Sequence, residues 1–536
     1  MSWKKFYIIV GFVSLFCTAK AQYIELSLNR FQNLPVDRAF ANSDSKEVTS
    51  CKPYIINTSE YDSILFKFQN ESKRKVPSKY SLLRKLGSEH LIQISKQDFK
   101  LNINPIFDVF LMQQKSPKEK FYTNTRGLWV QGILGKKFSF YTSFYESQSF
   151  FPSFIRTNVI NSKVVPGMGR YKVYKITGFD YAMASGSFTS IINRFISINA
   201  GHGKHFIGDG YRSLLLSDNA FNYPYFKANI KTNYISYTFC TASLQIINAP
   251  RNLNPGLTES VFTRKPFSFH LLSFTPHARF QISLYQSTIF QARDSMRYNK
   301  YVLDAYNPLI GVSALQFGLN NYKHNVLIGA IAKVKINSSL CLYSQFFLDD
   351  KGSAKNSIRN KSGFQLGVKY FDAFGVRNLF LLAEFNSVRP YTYATENSRN
   401  SFTHYGQSLT SPLGANYKEL VGILNYRFLK DLNIELKGNL IFTGADSSNA
   451  NIGKSPLAST STAYLGQDYA YNRIEGNRNI IALPEAKLIY QFNRTTGLSL
   501  WAGALARIEY KSGKFLTMQF ATLGVRSNLY NLYHDF

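Results

Sequence analysis

From about Leu101 to its last residue the chain alternates, apolar then polar. Leu101, Ile103, Phe107, Val109 and Leu111 are spaced by Asn102, Asn104 and Asp108, and Leu128, Val130 and Leu134 continue the pattern. After the turn signal Gly135-Lys136-Lys137, Phe138, Phe140 and Phe144 alternate with Ser139, Tyr141 and Ser143. A period of two interrupted by a turn describes a hairpin with one greasy face and one polar face. Comparable hairpins recur over residues 363–386, 420–442, 487–510 and 516–536, and Tyr530, Leu532, His534 and Phe536 share one face of what reads as a final strand.

Alternation suits a soluble sandwich as well as a membrane barrel, and three features favour the barrel. The first is an export signal. Lys4 and Lys5 precede an apolar run from Phe6 to Phe16, and Ala19-Lys20-Ala21 supplies the small-x-small pattern for cleavage after Ala21. The run is short of the roughly 20 apolar residues a spanning helix needs. Cys17 follows the bulky Phe16, which disfavours lipid attachment there. The second feature is the terminal aromatic strand. The third is the number of aromatics, 45 Phe and 35 Tyr, which barrels place on the lipid face and in interfacial girdles.

The expected fold is therefore all-β: residues 98–536 form a transmembrane antiparallel β-barrel of about 18 strands. Residues 1–21 are the signal peptide, and residues 22–97 form an irregular periplasmic or plug segment. One short helix is expected there, capped by Ser78, carrying Tyr80, Leu82, Leu83 and Leu86, and stopped by Gly87. It is expected to pack against the barrel mouth or to plug it. Long polar stretches at 252–264, 350–362 and 443–477 read as extracellular loops. The location expected is the outer membrane of a Gram-negative bacterium.

The formal charge is +31, or +28 without Lys4, Lys5 and Lys20. Such a surplus favours an anionic partner. In that compartment the candidates are lipopolysaccharide phosphates, acidic surface polysaccharide and anionic solutes, with outer-membrane lipids around the wall, and not nucleic acid. A coat of Lys and Arg on loops and pore wall explains the same surplus. After processing, Cys51, Cys240 and Cys341 remain, an odd and widely spaced set that gives no disulfide or metal framework. No cofactor is expected.

Residues 201–213 are rich in glycine and charge. Lys204 and Arg212 bring positive charge, Tyr211 an aromatic ring, and exposed amides between glycines form anion-binding nests. His202, His205 and Asp209 have a spacing that suits a metal, though two His and one Asp are thin evidence. A tight inward-folded turn with internally paired polar groups explains the same residues. A second cluster joins Arg389 and Tyr391 to His404 and Tyr405, a mixture that suits sugar recognition through ring stacking and bidentate guanidinium bonds. Girdle and lumen roles fit it equally. Arg126, Arg156 and Arg170 extend a basic wall, and Asp349-Asp350 suits a turn cap.

Enzyme signatures are missing. The chain has no Gly-x-Ser-x-Gly elbow and no His-Glu-x-x-His helix, and Ser448 stands where a phosphate-binding loop ending in Gly453-Lys454-Ser455 needs glycine.

Several stretches resemble the capsule-assembly Wzi-like outer-membrane family, and among its branches most resemble the gliding motility protein RemB. They are residues 140–146, Val165-Pro166-Gly167, 201–225 with Gly208-Asp209-Gly210-Tyr211-Arg212 at its centre, 343–350, 386–391 and Leu413-Gly414-Ala415-Asn416. The resemblance implies a large barrel of about 18 strands that holds exported polysaccharide in a lectin-like, non-catalytic way. Its gliding branch implies a part in surface motility. Three functions follow: a polysaccharide anchor, a motility or adhesin component acting through protein contacts, and an anion-selective channel.

Overall fold

The computed structural model describes residues 22–42, 49–69, 80–247, 263–291, 302–319, 323–352, 357–446, 450–463, 474 and 476–536. The expected signal peptide, the Ser78 cap and most of the 252–264 loop lie outside these residues.

Eighteen long strands close a single antiparallel barrel. In chain order they are β1 (Phe99–Gln114), β2 (Lys120–Leu134), β3 (Phe138–Phe150), β4 (Gly178–Ile191), β5 (Ile196–Gly203), β6 (Tyr223–Lys231), β7 (Ile235–Ile246), β8 (Thr263–His277) and β9 (Phe280–Phe290). The second half comprises β10 (His324–Lys335), β11 (Leu340–Asp350), β12 (Lys361–Phe371), β13 (Leu379–Val388), β14 (Tyr417–Arg427), β15 (Leu432–Ala445), β16 (Asn477–Asn493), β17 (Leu498–Lys511) and β18 (Lys514–Arg526). Each pairs with its neighbours in sequence, and β18 closes on β1, Phe520–Arg526 lying against Gln114 down to Asp108.

The alternation read from the sequence becomes an outside and an inside. Phe107, Leu111, Leu128, Phe144, Leu366 and Leu523 stand exposed on the outer wall, whereas Ser143, Ser147, Asn199, Gln365, Asn386 and Glu419 are buried within. Greasy outside and polar inside is the form in which strands cross a bilayer, because closure pairs every backbone group. Among the described residues no helix is long and apolar enough to cross a membrane.

The two ends differ. At one end the turns are tight, as at Gly135-Lys136-Lys137, where Gly135 takes φ 61°. At the other, connections such as 151–177, 204–222 and 389–416 are long, and the last two fold down into the lumen.

Residues 22–42 and 49–69 occupy the short-turn end. Helix α1 (Arg30–Ala41), capped by Asn29 accepting from the Gln32 amide, packs against α2 (Thr58–Gln69). Its core comprises Leu26, Val36, Phe40, Tyr54, Ile56 and Ile64. Asp37 ties it to the wall through Lys369 at 3.0 Å, and Cys51-Lys52 pairs with Phe206-Ile207 inside the barrel.

Two expectations are corrected. Helix α3 (Ser81–Gly87) starts later than read and buries none of its residues. Of the two placements expected for it, the mouth and the plug, it takes the mouth, at the rim, where the Asn493 amide donates to the carbonyls of Lys85 (2.8 Å) and Glu89 (2.9 Å). The C-terminal residues form no wall strand. After Arg526 the chain turns inward, the Ser527 amide donating to the Phe107 carbonyl at 2.8 Å, and residues 527–536 thread the lumen. Beside the lower part of β1 the wall position is taken by the short strand Ile92–Lys96. Inside, the polar members of the tail find partners: Asn531 and Tyr533 donate to Asp218 (3.0 and 2.7 Å), and Asp535 meets Arg212.

Candidate functional site

Inside the lumen, side chains of wall and tail converge on the inward segment 204–222. Its glycines permit the approach. A Cβ at Gly210 would lie 2.2 Å from Glu384 Oε2, and one at Gly208 (φ 132°) 2.0 Å from Gln345 Nε2. Glu384, inward on β13, accepts the amides of Tyr211 (2.7 Å) and Arg212 (3.0 Å) and the Tyr343 hydroxyl (2.8 Å). Arg212 is fully buried. Its guanidinium bonds Glu419 at 2.8 Å and Asp535 at 3.1 Å, joining inward segment, wall and tail. Burial opposes the Arg212 charge, yet Asp535 and Glu419 more than reverse this and hold its pKa well above the ordinary value. Arg30 of α1 lies 4.0 Å over the Tyr211 ring and donates to the Tyr533 hydroxyl at 3.1 Å, adding a fourth element.

The other residues singled out in 201–213 are also held internally. Lys204 donates to the carbonyls of Gly167 (2.6 Å) and Asp218 (3.3 Å), and burial lowers its pKa to about 8. His205 meets the Tyr223 hydroxyl at 3.2 Å, and burial, helped by the Lys227 charge, puts its pKa well below the ordinary value. Asp209 pairs with Lys333 at 2.8 Å and accepts from Ser50 at 2.9 Å. His202 points elsewhere, its Nδ1 3.1 Å from the Ala184 carbonyl. The three do not converge, and no group of three His, Cys, Asp or Glu placed to hold a metal occurs among the described residues.

The second cluster divides similarly. Tyr391, with φ 62°, is buried and donates to the Asn451 carbonyl at 2.7 Å. His404 is buried between the Gln245 amide (2.9 Å) and the Asn222 carbonyl (3.0 Å), and desolvation takes its pKa down to about 3. Arg389 is half-buried where β13 leaves the wall. Arg126 stands on the outer wall, its side chain largely exposed and 3.9 Å from Glu146. Asp349 accepts the Tyr393 amide at 2.8 Å, pinning the inward loop rather than a local turn.

What remains accessible gathers at the long-loop end. Phe221 and Tyr405 pack with ring centroids 4.7 Å apart, and His202 lies 6.0 Å from Phe221. A Cβ at Gly169 would touch both rings, at 3.2 and 3.5 Å, which brings the exposed Arg170 beside them. Burial raises the Tyr405 phenol pKa, and the Arg170 charge opposes the rise. The connection 151–177 that carries Arg170 also exposes Arg156, Lys163, Lys172 and Lys175 and contains no acidic residue. Arg170, His202 and Tyr405 were each readable in the sequence, but separately. Phe221 was not singled out, because nothing local marks an aromatic that packs on a residue far along the chain.

Neither a protein-family model nor a curated protein matches the chain. Solved structures do. The chain is similar to Wzi of Escherichia coli, an outer-membrane carbohydrate-binding β-barrel involved in group 1 capsule assembly, with TM-score 0.51 and 11% identity over 95% of this chain and 100% of that one. It also matches OprD of Pseudomonas aeruginosa (TM-score 0.41, 11% identity, 80% and 96% covered) and OccAB2 of Acinetobacter baumannii (0.43, 9%, 80% and 98%). At 11% identity the likeness to Wzi shows the fold alone, a closed outer-membrane type of β-barrel.

Proposed function

We propose that the protein is an outer-membrane barrel that holds an anionic surface polysaccharide at its long-loop, extracellular end, without turning it over. The observation that carries this reading is the acid-free connection 151–177, which exposes five basic side chains and meets the Phe221–Tyr405 ring pair at Gly169, next to Arg170. Guanidinium and ammonium groups meet carboxylate or phosphate, and rings meet the apolar faces of sugars. Arg170, Tyr405 and Phe221 form the centre of the site, with His202 and Arg389 at its edge. Lys204, His205, Asp209, Tyr211, Arg212, Tyr391 and His404 serve it by closing the lumen beneath, and Arg126 contributes at the outer wall. The inward segment and tail that cross the lumen weigh against an anion channel. The carbohydrate-binding description of Wzi supports the same class of ligand.

Binding of an acidic polysaccharide to the purified protein tests this. Affinity should fall as salt rises, since exposed charges are screened, and should fall again in Arg170→Ala and Tyr405→Ala. Binding that ignores salt and both substitutions would contradict the reading. A surface-motility role is the second reading. It rests on the resemblance of residues 201–225 to the RemB branch, and predicts defective spreading with normal polysaccharide retention in a deletion strain.

A further inference from the structure

At the short-turn end, between residues 24–38 and 58–65 and the inner wall, lies a cavity of about 1150 Å³. It is slightly larger than the roughly 300–1,000 Å³ typical of ligand sites. The wall strands β1, β2 and β3 present a compact group to it. Asn102 faces Gln131 and Gln131 faces Tyr141 in register, while Trp129 lies opposite Asn104. The Trp129 and Tyr141 rings are 6.5 Å apart, and His90 meets Trp129 edge-on at 6.1 Å.

Two polar atoms of this group have no partner. Trp129 is 5% exposed, and its indole Nε1 is buried without an acceptor; Asn102 Oδ1 is buried without a donor. Buried polar groups are nearly always satisfied, so an orphan donor and an orphan acceptor on one cavity wall mark a place where another molecule's groups belong.

The charges around the cavity are largely neutralised by one another. Arg38 pairs with Asp372, Arg494 with Asp431 at 3.3 Å and Glu89 with Arg84 at 3.0 Å, and the other charged lining residues, Glu25, Asp62, Lys100 and Arg427, balance as two acids and two bases. What is offered to a ligand is rings, amides and an indole N–H. A sugar hydroxyl both donates and accepts, so it answers the indole and the amide oxygen alike, and a pyranose face covers an aromatic ring. A polyanion finds no uncompensated cluster of cations.

We propose that this cavity is a second binding site, for an uncharged oligosaccharide, with Trp129, Asn102, Gln131 and Tyr141 as its contacts. It goes beyond the external site in both position and ligand charge.

The chain has three tryptophans, Trp3, Trp129 and Trp501, and Trp501 lies on a different part of the wall against Phe110. The experiment is a fluorescence titration of full-length Trp501→Phe protein, signal segment removed, in nanodiscs. The probes are maltotriose, cellotriose and chitotriose, with trigalacturonate as the acidic comparison. A saturable change in Trp129 emission with a neutral trisaccharide is expected, insensitive to salt and about tenfold weaker in Asn102→Ala. No saturable change with any neutral probe, or a change with trigalacturonate alone that salt abolishes, overturns the proposal. If Trp501→Phe fails to assemble, calorimetry on the unaltered protein against Trp129→Phe decides, with equal heats overturning it. Neither outcome bears on the external site, which is read separately by acidic-polysaccharide binding.

Discussion

Arg212 shows how a single residue can hold four parts of a chain together. It is buried against Glu419 and Asp535, and its peptide is fixed by Glu384. Removing one partner of a buried pair leaves the others charged and unpaired, so Arg212→Ala should cost about 3–5 kcal/mol, checked by denaturant unfolding in detergent. The protein should also begin to conduct in planar bilayers, where the unaltered protein is expected to conduct almost nothing. An unaltered midpoint would show that the network is not a clamp. The buried histidines give a pH prediction. His404, with a pKa of about 3, and His205, also well below its ordinary value, are neutral in the folded lumen. Between about pH 6.5 and 3 the unfolded chain binds more protons, so stability rises with pH across this window and is lost as pH falls through it. Melting temperature measured from pH 7 to 4 should fall, and fall less in His404→Gln.

At the level of elements, alternation proved a reliable guide to strands because the greasy faces of β1 to β3 had to meet something apolar. It was no guide to which side of the wall a strand-like run occupies. Tyr530, Leu532, His534 and Phe536 alternate equally well in a wall strand or in a tail threading the lumen. What decides is Asp535 and Asn531, whose partners Arg212 and Asp218 lie more than 300 residues earlier. Helix α3 misled for a related reason: Tyr80, Leu82, Leu83 and Leu86 read as a packing face, yet all four are exposed. The inward segment was legible as one of two readings of 201–213, since its glycines admit close approach. Its clamps, Glu384 and Glu419, were not, being 172 and 207 residues from Arg212. Gly210→Ala tests the element directly. The added methyl meets Glu384, and overpacking of this kind costs about 1–3 kcal/mol, which thermal melting will detect. Stability unchanged by the methyl would mean that the segment sits more loosely than described.

The whole molecule separates its tasks by region. The outer wall is apolar, the lumen holds tail and loops bound by paired charge, and the connection 151–177 at the long-loop end displays five exposed basic side chains and no acid. Composition alone gave the surplus but not its address. One such address is the acid-free connection 151–177, while many lumen cations are paired with Glu, Asp or backbone carbonyls. Replacing Arg156, Lys163, Lys172 and Lys175 together by Gln should leave assembly and melting intact, because all four are exposed. Retention of acidic polysaccharide on cells should nonetheless fall several-fold. Full retention in this variant would remove the connection from the account.

The central claim, that this barrel holds polysaccharide rather than passing or altering it, is tested most directly in a deletion strain. The measurement is how acidic polysaccharide divides between cells and spent medium, with total synthesis measured alongside. The account predicts a shift to the medium at constant total, reversed by the unaltered gene and not by Arg170→Ala. An unchanged division would contradict it.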